Sequence, residues 1–197
     1  MNPLPNIALT GRMGTGKSTI AQLLSEMYGY HRISWAAPVK DFAAMAYGPI
    51  DKTASYAVTQ NGVTRYISGR EILQRLGTDA LRMQVDQDFW IKVGLNRIRA
   101  ALTANPNVRI VIDDTRFPNE ADALRARGFL IVRVKLPDAL RLARMDEEPG
   151  DRIHNHPSET LSDTIPAHLD IWNTADSHAT VQELMRVLAE TVATETA

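Results

Sequence analysis

The segment Gly11-Arg12-Met13-Gly14-Thr15-Gly16-Lys17-Ser18 fits the pattern G-x-x-x-x-G-K-[ST] at every fixed position. Its surroundings are those the pattern needs. The apolar run Ile7-Ala8-Leu9 before it reads as a buried strand, and Thr19–Met27 after it repeats apolar side chains at helical spacing. Glycines let such a loop turn its backbone N–H groups inward around phosphate oxygens, and the following helix N-terminus adds positive potential. In that setting Lys17 reaches the β- and γ-phosphates, and the Ser18 hydroxyl can ligate Mg²⁺. Gly11, Met13, Gly14, Thr15, Gly16, Lys17, Ser18 and Thr19 are therefore the expected contacts to a nucleoside triphosphate.

Composition narrows the class. The 197 residues, 44% hydrophobic, suffice for one full core without staples. With no cysteine, neither a disulfide framework nor a thiolate metal site is available. A net charge of −1 argues against a broad nucleic-acid surface, which needs clustered excess Lys and Arg. The first residues show no basic stretch followed by an apolar one, and no run approaches the ~18 apolar residues of a membrane helix. The expectation is a soluble, cytoplasmic protein with neither nucleic-acid nor membrane partners.

Along the chain, Gly29 reads as a helix C-cap, His31–Ser34 as a short strand and Ala36–Tyr47 as a helix ended by Gly48-Pro49. The next stretch is polar and β-leaning, and Asn61-Gly62 within it signals a tight hairpin turn. Ser68 with Glu71 forms a capping box opening a helix through Met83, with Ile72, Leu73, Leu76, Ala80, Leu81 and Met83 as its buried stripe. Asp86 or Asp88 caps another helix to about Leu102. Val108–Ile112 is the near-continuous apolar run of a central parallel strand. Pro118–Arg127 reads as a helix, Phe129–Val134 as a strand and Pro137 to about Met145 as a helix. His168–Trp172 reads as a last strand, and Thr180 as the cap of a closing helix to Val192. Strands alternating with helices imply a three-layer α/β fold of the P-loop NTPase/kinase kind, with a central parallel sheet and a small lid. The expected organisation is a single domain over 1–197, with 48–68 as an acceptor-side insertion and 137–166 as the lid region.

A phosphate loop of this kind needs a carboxylate to hold Mg²⁺, usually at the end of an apolar strand. Asp113 and Asp114 both stand there, but side chains alternate along a strand, so the two point opposite ways. Asp114, nearer the open sheet edge, is the choice and Asp113 the runner-up; the expected metal set is Ser18 with Asp114. Arg116 follows on the same loop as a phosphate contact, and Glu120 one helical turn on can orient it. Arg141, Arg144 and Arg152 are the candidate lid cations.

No Asn-Lys-x-Asp guanine-reading element is present, and the chain is small and near-neutral. A small-molecule phosphotransferase is thus favoured over a nucleotide switch or a nucleic-acid motor. A family resemblance sharpens this. Arg70-Glu-Ile-Leu-Gln74-Arg-Leu-Gly77-Thr78-Asp79, with Asp88-Phe-Trp90-Ile-Lys-Val after it, resembles the central signature of phage-type deoxynucleoside monophosphate kinases. Asp114-Thr115-Arg116 with Glu120 is similar to their second phosphate-site motif. Trp35-Ala-Ala-Pro38-Val-Lys40-Asp41, His156-Pro-Ser158-Glu159 and Asp170-Ile-Trp-Asn173 are similar to further elements of the family, in the right order.

The resemblance implies Mg²⁺-dependent transfer of the ATP γ-phosphate to a deoxynucleoside 5′-monophosphate, in host cytoplasm if the chain is phage-encoded. It implies that Lys17, Asp114, Arg116 and Arg144 act at the transferring phosphate and that Asn173 borders the adenine. Arg70, Gln74, Thr78 and Asp79 would line the monophosphate site, with Lys40, Asp41, Trp90 and Glu120 also on the acceptor side. Trp90 as core and Asn173 as a strand terminator remain open alternatives. So do a different small acceptor (dephospho-coenzyme A or phosphomevalonate), an ATP-gated binding module, and a homodimeric state.

Overall fold

The computed structural model describes residues 4–144, 160–174 and 176–194. These fall into two compact units, one built from the chain up to Ser34 and from Ile98 onward, the other from Trp35–Arg97.

The first unit centres on a five-stranded sheet. Its strands are β1 (Ile7–Thr10), β2 (His31–Ile33), β5 (Ile110–Ile112), β6 (Leu130–Lys135) and β7 (Leu169–Trp172), in the order β2-β5-β1-β6-β7. Every pairing is parallel. The apolar runs explain which strands lie inside: β1 and β5 are buried at every position, as strands covered on both faces must be. On one face Ile7, Leu9, Val111, Val132 and Val134 pack against Ile20 and Leu24 of α1 (Lys17–Tyr28) and Leu184 and Leu188 of the closing helix (Ser177–Thr194). On the other face lies α5 (Pro118–Arg125), with Ala121 and Leu124 fully buried. The expected three-layer α/β arrangement is what forms. The C-terminal ends of β1 and β5 bring the phosphate loop and the Asp113-Asp114 pair to the same edge, where ligands bind in open parallel sheets.

The second unit contains α2 (Ala36–Tyr47), the hairpin β3 (Ser55–Gln60) to β4 (Val63–Ser68), and α3 (Gly69–Gln74). It also holds the start of α4 (Phe89–Ala104). The hairpin turns on Asn61 and Gly62, both at positive φ (52° and 75°), which is why this dipeptide marks the two-residue turn. Ser68 caps α3 through its hydroxyl, which accepts the Glu71 amide at 3.2 Å.

Two expectations are corrected. The helix foreseen to run regularly to Met83 changes at Arg75 into a π-helix reaching Val85. Bonding from i to i+5 puts more residues in each turn, so the inward stripe drifts: Thr78 and Arg82 are buried while Met83 is 61% exposed. The closing helix begins at Ser177 rather than at Thr180, because the Asp176 carboxylate accepts the His178 amide at 2.9 Å and caps it a turn earlier.

Tyr30 closes the bottom of the first unit. Its buried ring donates a hydroxyl hydrogen bond to the Pro5 carbonyl at 2.9 Å, and burial pushes its pKa up to about 12, partly countered by the neighbouring Arg109. A raised pKa means that the folded state keeps a proton the unfolded chain releases near pH 10. Stability contributed by Tyr30 is therefore complete below pH 10 and lost as pH rises toward 12. Tyr30→Phe should flatten the fall of unfolding free energy over that window, measured by urea titrations at several alkaline pH values.

Candidate active site

The phosphate loop is held by contacts that leave its amides turned one way. Gly11, Gly14 and Gly16 all have positive φ (122°, 83° and 91°), and a Cβ on Gly11 would collide with the Val134 carbonyl oxygen. Thr15 is buried and its hydroxyl donates to the Arg12 carbonyl at 2.9 Å. Gly16 is the N-cap of α1, whose first turn carries no acidic residue, so its positive end is not neutralised from within. Lys17 is 6% exposed; its ammonium donates to the carbonyls of Gly11 (2.5 Å) and Arg12 (2.7 Å), which folds it over the loop. Ser18 and Thr19 are exposed at the helix start.

The two strand-end carboxylates have opposite surroundings. Asp113 is 3% exposed and receives the Arg32 guanidinium, with Nε at 2.7 Å and a second, shorter contact from Nη2. Burial, and then the negative charge of Asp114, push its pKa above the usual carboxylate range, while Arg32 opposes the shift. Asp114 is only half-buried and accepts the Ser34 hydroxyl at 2.7 Å. The two carboxylates, just past the end of β5, thus differ in burial and in partner: one is anchored by Arg32 and the other is half-buried beside Ser34.

Glu120 is 2% exposed, and one carboxylate oxygen accepts the amides of Arg116 (2.9 Å) and Phe117 (3.2 Å), capping α5. The same bonds fix the backbone from which the half-buried Arg116 side chain projects.

The lid arginines also part. In α6 (Asp138–Ala143) Arg141 is buried, donating to Asp138 (2.9 Å) and to the Met13 carbonyl (3.3 Å), so it braces the loop. Arg144 is exposed, and its Nη1 lies 3.7 Å from where a Cβ on Gly16 would stand. Asn173 is fully buried, with Nδ2 donating to the Thr15 carbonyl (2.9 Å) and Oδ1 accepting from Ser177 (3.0 Å), so it braces the loop. Beside the first half of the loop is a cleft of about 440 Å³, lined in part by Arg12, Lys135, Asp138, Arg141, Asp163 and Trp172. Arg12 pairs there with Asp163 at 2.7 Å. Sequence reading missed this cleft because its walls come from four separate segments. Arg152, His156, Ser158 and Glu159 lie outside the described residues.

In the second unit, Arg70 and Gln74 are half-buried on one face of α3, Thr78 is buried, and Lys40, Asp41 and Asp79 are exposed. Asp41 faces Arg97 at 4.0 Å. Trp90 is 5% exposed and donates its indole N–H to the Gly77 carbonyl at 2.7 Å. Of the two readings open for Trp90, its place is that of a core residue: the ring is inside and its polar atom is used.

Comparison with known proteins bears on the whole. Residues 56–152 match the family model described as deoxynucleotide monophosphate kinase. A protein of Acanthamoeba polyphaga mimivirus, provisionally named a deoxynucleotide monophosphate kinase, is 29% identical over 159 residues, covering 74% of this chain and 79% of the relative. Among solved structures, shikimate kinase from Acinetobacter baumannii superimposes with a TM-score of 0.56 at 19% identity, covering 95% of this chain and 94% of that one. A gluconokinase from Sinorhizobium meliloti 1021 gives 0.53 at 18% identity, covering 100% of both. At these identities the solved structures speak for the fold alone. Among the described residues, no helix is long and apolar enough to cross a membrane.

Removing the partner of a buried charge costs far more than removing a half-exposed hydroxyl. Arg32→Met, which strands Asp113, should lower unfolding free energy by about 3 kcal/mol, whereas Ser34→Ala should cost about 1 kcal/mol. Urea denaturation of the two variants beside the parent checks the difference.

Proposed function

We propose that this chain, which carries a deoxynucleotide monophosphate kinase family domain over residues 56–152, transfers the γ-phosphoryl group of ATP to a deoxynucleoside 5′-monophosphate. The family match supports a phosphotransferase acting on nucleotides; the deoxynucleoside acceptor is the finer part of the proposal. The observation that carries it is the joint presence of a complete phosphate loop over Gly11–Ser18 and the family match over residues 56–152.

In the first unit, backbone amides at the start of α1 and the Lys17 ammonium bind the donor's β- and γ-phosphates. Oxygen donors suit a hard divalent cation, and the exposed Ser18 hydroxyl and accessible Asp114 carboxylate fit Mg²⁺ as its protein ligands. When bound, Mg²⁺ supplies charge neutralisation between the β- and γ-phosphates. An acceptor phosphate oxygen forms the new P–O bond as the bond from the γ-phosphorus to the β–γ bridging oxygen breaks, leaving ADP. The acceptor is already an anion, so no strong base is required. Lys17, Arg116 and Arg144 offset the charge spread over the transferring group, a contribution that water would weaken. In the second unit, Arg70, Gln74, Thr78 and Asp79 bind the monophosphate, with Lys40 and Asp41 as further acceptor-side groups.

A coupled ADP-release assay across the deoxy- and ribonucleoside monophosphates tests the reaction. Stimulation by at least one deoxynucleoside monophosphate is expected, and a slow rate indifferent to every monophosphate would defeat the reading. Lys17→Ala should lower kcat by roughly a thousandfold, in line with loss of a preorganised charge at a transferring group, with the circular dichroism spectrum unchanged. Arg70→Ala should raise the monophosphate KM by about tenfold or more and leave that of ATP within about twofold. Equal changes in both would remove Arg70 from the acceptor site.

A further inference from the structure

We infer that Asn173 is a positioning residue for the phosphate loop. Its buried amide fixes the Thr15–Gly16 peptide, and through it the direction in which the Gly16 N–H is presented to the triphosphate. The inference rests on the donor half of the function proposed above, namely that this loop binds a nucleoside triphosphate.

The geometry is as follows. Asn173 stands immediately after β7, and its backbone N–H donates to the Lys135 carbonyl at 2.9 Å, which ties it to the end of β6. Its side chain is fully buried and bonded at both ends: Nδ2 to the Thr15 carbonyl at 2.9 Å, Oδ1 from the Ser177 hydroxyl at 3.0 Å. The Thr15 carbonyl decides the orientation of the amide, because it can only accept and so must face the NH₂; the Ser177 hydroxyl is then left to donate to Oδ1. In a trans peptide the C=O and the following N–H point in opposite directions. Pinning the Thr15 carbonyl toward Asn173 therefore sends the Gly16 N–H the other way, off the β7 side of the loop.

Contact adds to the bond. A Cβ on Gly16 would collide with Asn173 Nδ2, so the loop cannot settle toward Asn173 without displacing it. The Asn173 backbone carbonyl also accepts Arg144 Nη2 at 3.3 Å. One residue thus meets the loop through its side-chain amide and the exposed arginine through its backbone.

Binding of Mg-ATP and of inorganic tripolyphosphate, measured by calorimetry without any acceptor, tests this on the full chain with Asn173→Asp and Ser177→Ala. The carboxylate of Asn173→Asp sets two acceptors facing each other, so both ligands should bind roughly 10- to 100-fold more weakly. Ser177→Ala removes the shorter hydrogen bond to Oδ1, leaving only the longer one from Thr180 at 3.4 Å to steady the amide, and should weaken both by about threefold. Monophosphate KM should stay within about twofold in either variant.

Weaker binding of ATP with unchanged binding of tripolyphosphate would mean that Asn173 touches the base, and would overturn the inference. So would a lowered melting temperature with both affinities intact, which is the mark of a purely structural residue. Should Asn173→Asp fail to fold, Ser177→Ala decides alone: unchanged tripolyphosphate affinity overturns the inference. A parent protein that binds tripolyphosphate but phosphorylates no monophosphate defeats the kinase reading and leaves this one standing; a parent that binds no tripolyphosphate ends this one.

Discussion

Burial of β1 on both faces is the constraint from which the site follows. A strand with no solvent face cannot slip by one residue without pushing polar groups inward, so its register is fixed on both sides. Ile7 stands opposite Val111 on one neighbour and Leu130 on the other. The loop that leaves such a strand starts from a fixed point and a fixed direction. That matters for anion binding through backbone amides, because an amide cannot adjust as a side chain can; it has to be aimed by the chain that carries it. The contacts from Val134, Arg141 and Asn173 act on a loop whose origin is already settled.

The adjacent carboxylates show how one strand end serves two purposes. Asp113 is buried, raised in pKa and anchored by Arg32, an arrangement that is expensive if disturbed and of little use to a ligand. Asp114 beside it keeps a half-buried carboxylate steadied by Ser34. The anchored member costs desolvation, but it ties β2 to the end of β5 through Arg32 and so fixes the backbone on which the accessible member rides. Glu120 repeats the pattern: by capping α5 it holds the Arg116 backbone.

What was legible in the sequence divides along physical lines. Features carried by backbone geometry could be read, because they demand particular residues at fixed spacing: the glycines of the loop, Asn61-Gly62 in the hairpin, Ser68 with Glu71, and the apolar runs of β1 and β5. Features that depend on where a side chain finally points could not. Met83 was assigned to the buried stripe because ordinary helical spacing was assumed, and no residue pattern announced the π-helix from Arg75. Motif position leaves Trp90 and Asn173 open between ligand contact and structural residue, and each finds its hydrogen-bond partner far along the chain, at Gly77 and Thr15. A burial decided by a partner 13 or 158 residues away leaves no local trace.

The same division bears on how the two halves of the reaction are specified. Phosphates are alike in every nucleotide, so a cradle of amides and one ammonium suffices, and few residues encode it. A base is distinguished by the directions of its donors and acceptors, which only side chains in set orientations can match. The residues proposed above for the monophosphate, from Arg70 to Asp79, straddle a helix whose period changes partway, between Gln74 and Arg75. Moving the change by a single residue would swing Thr78 and Asp79 about the helix axis relative to Arg70 and Gln74, with no alteration to the residues themselves. On the proposed function, acceptor binding is therefore a matter of helix geometry as much as of residue identity.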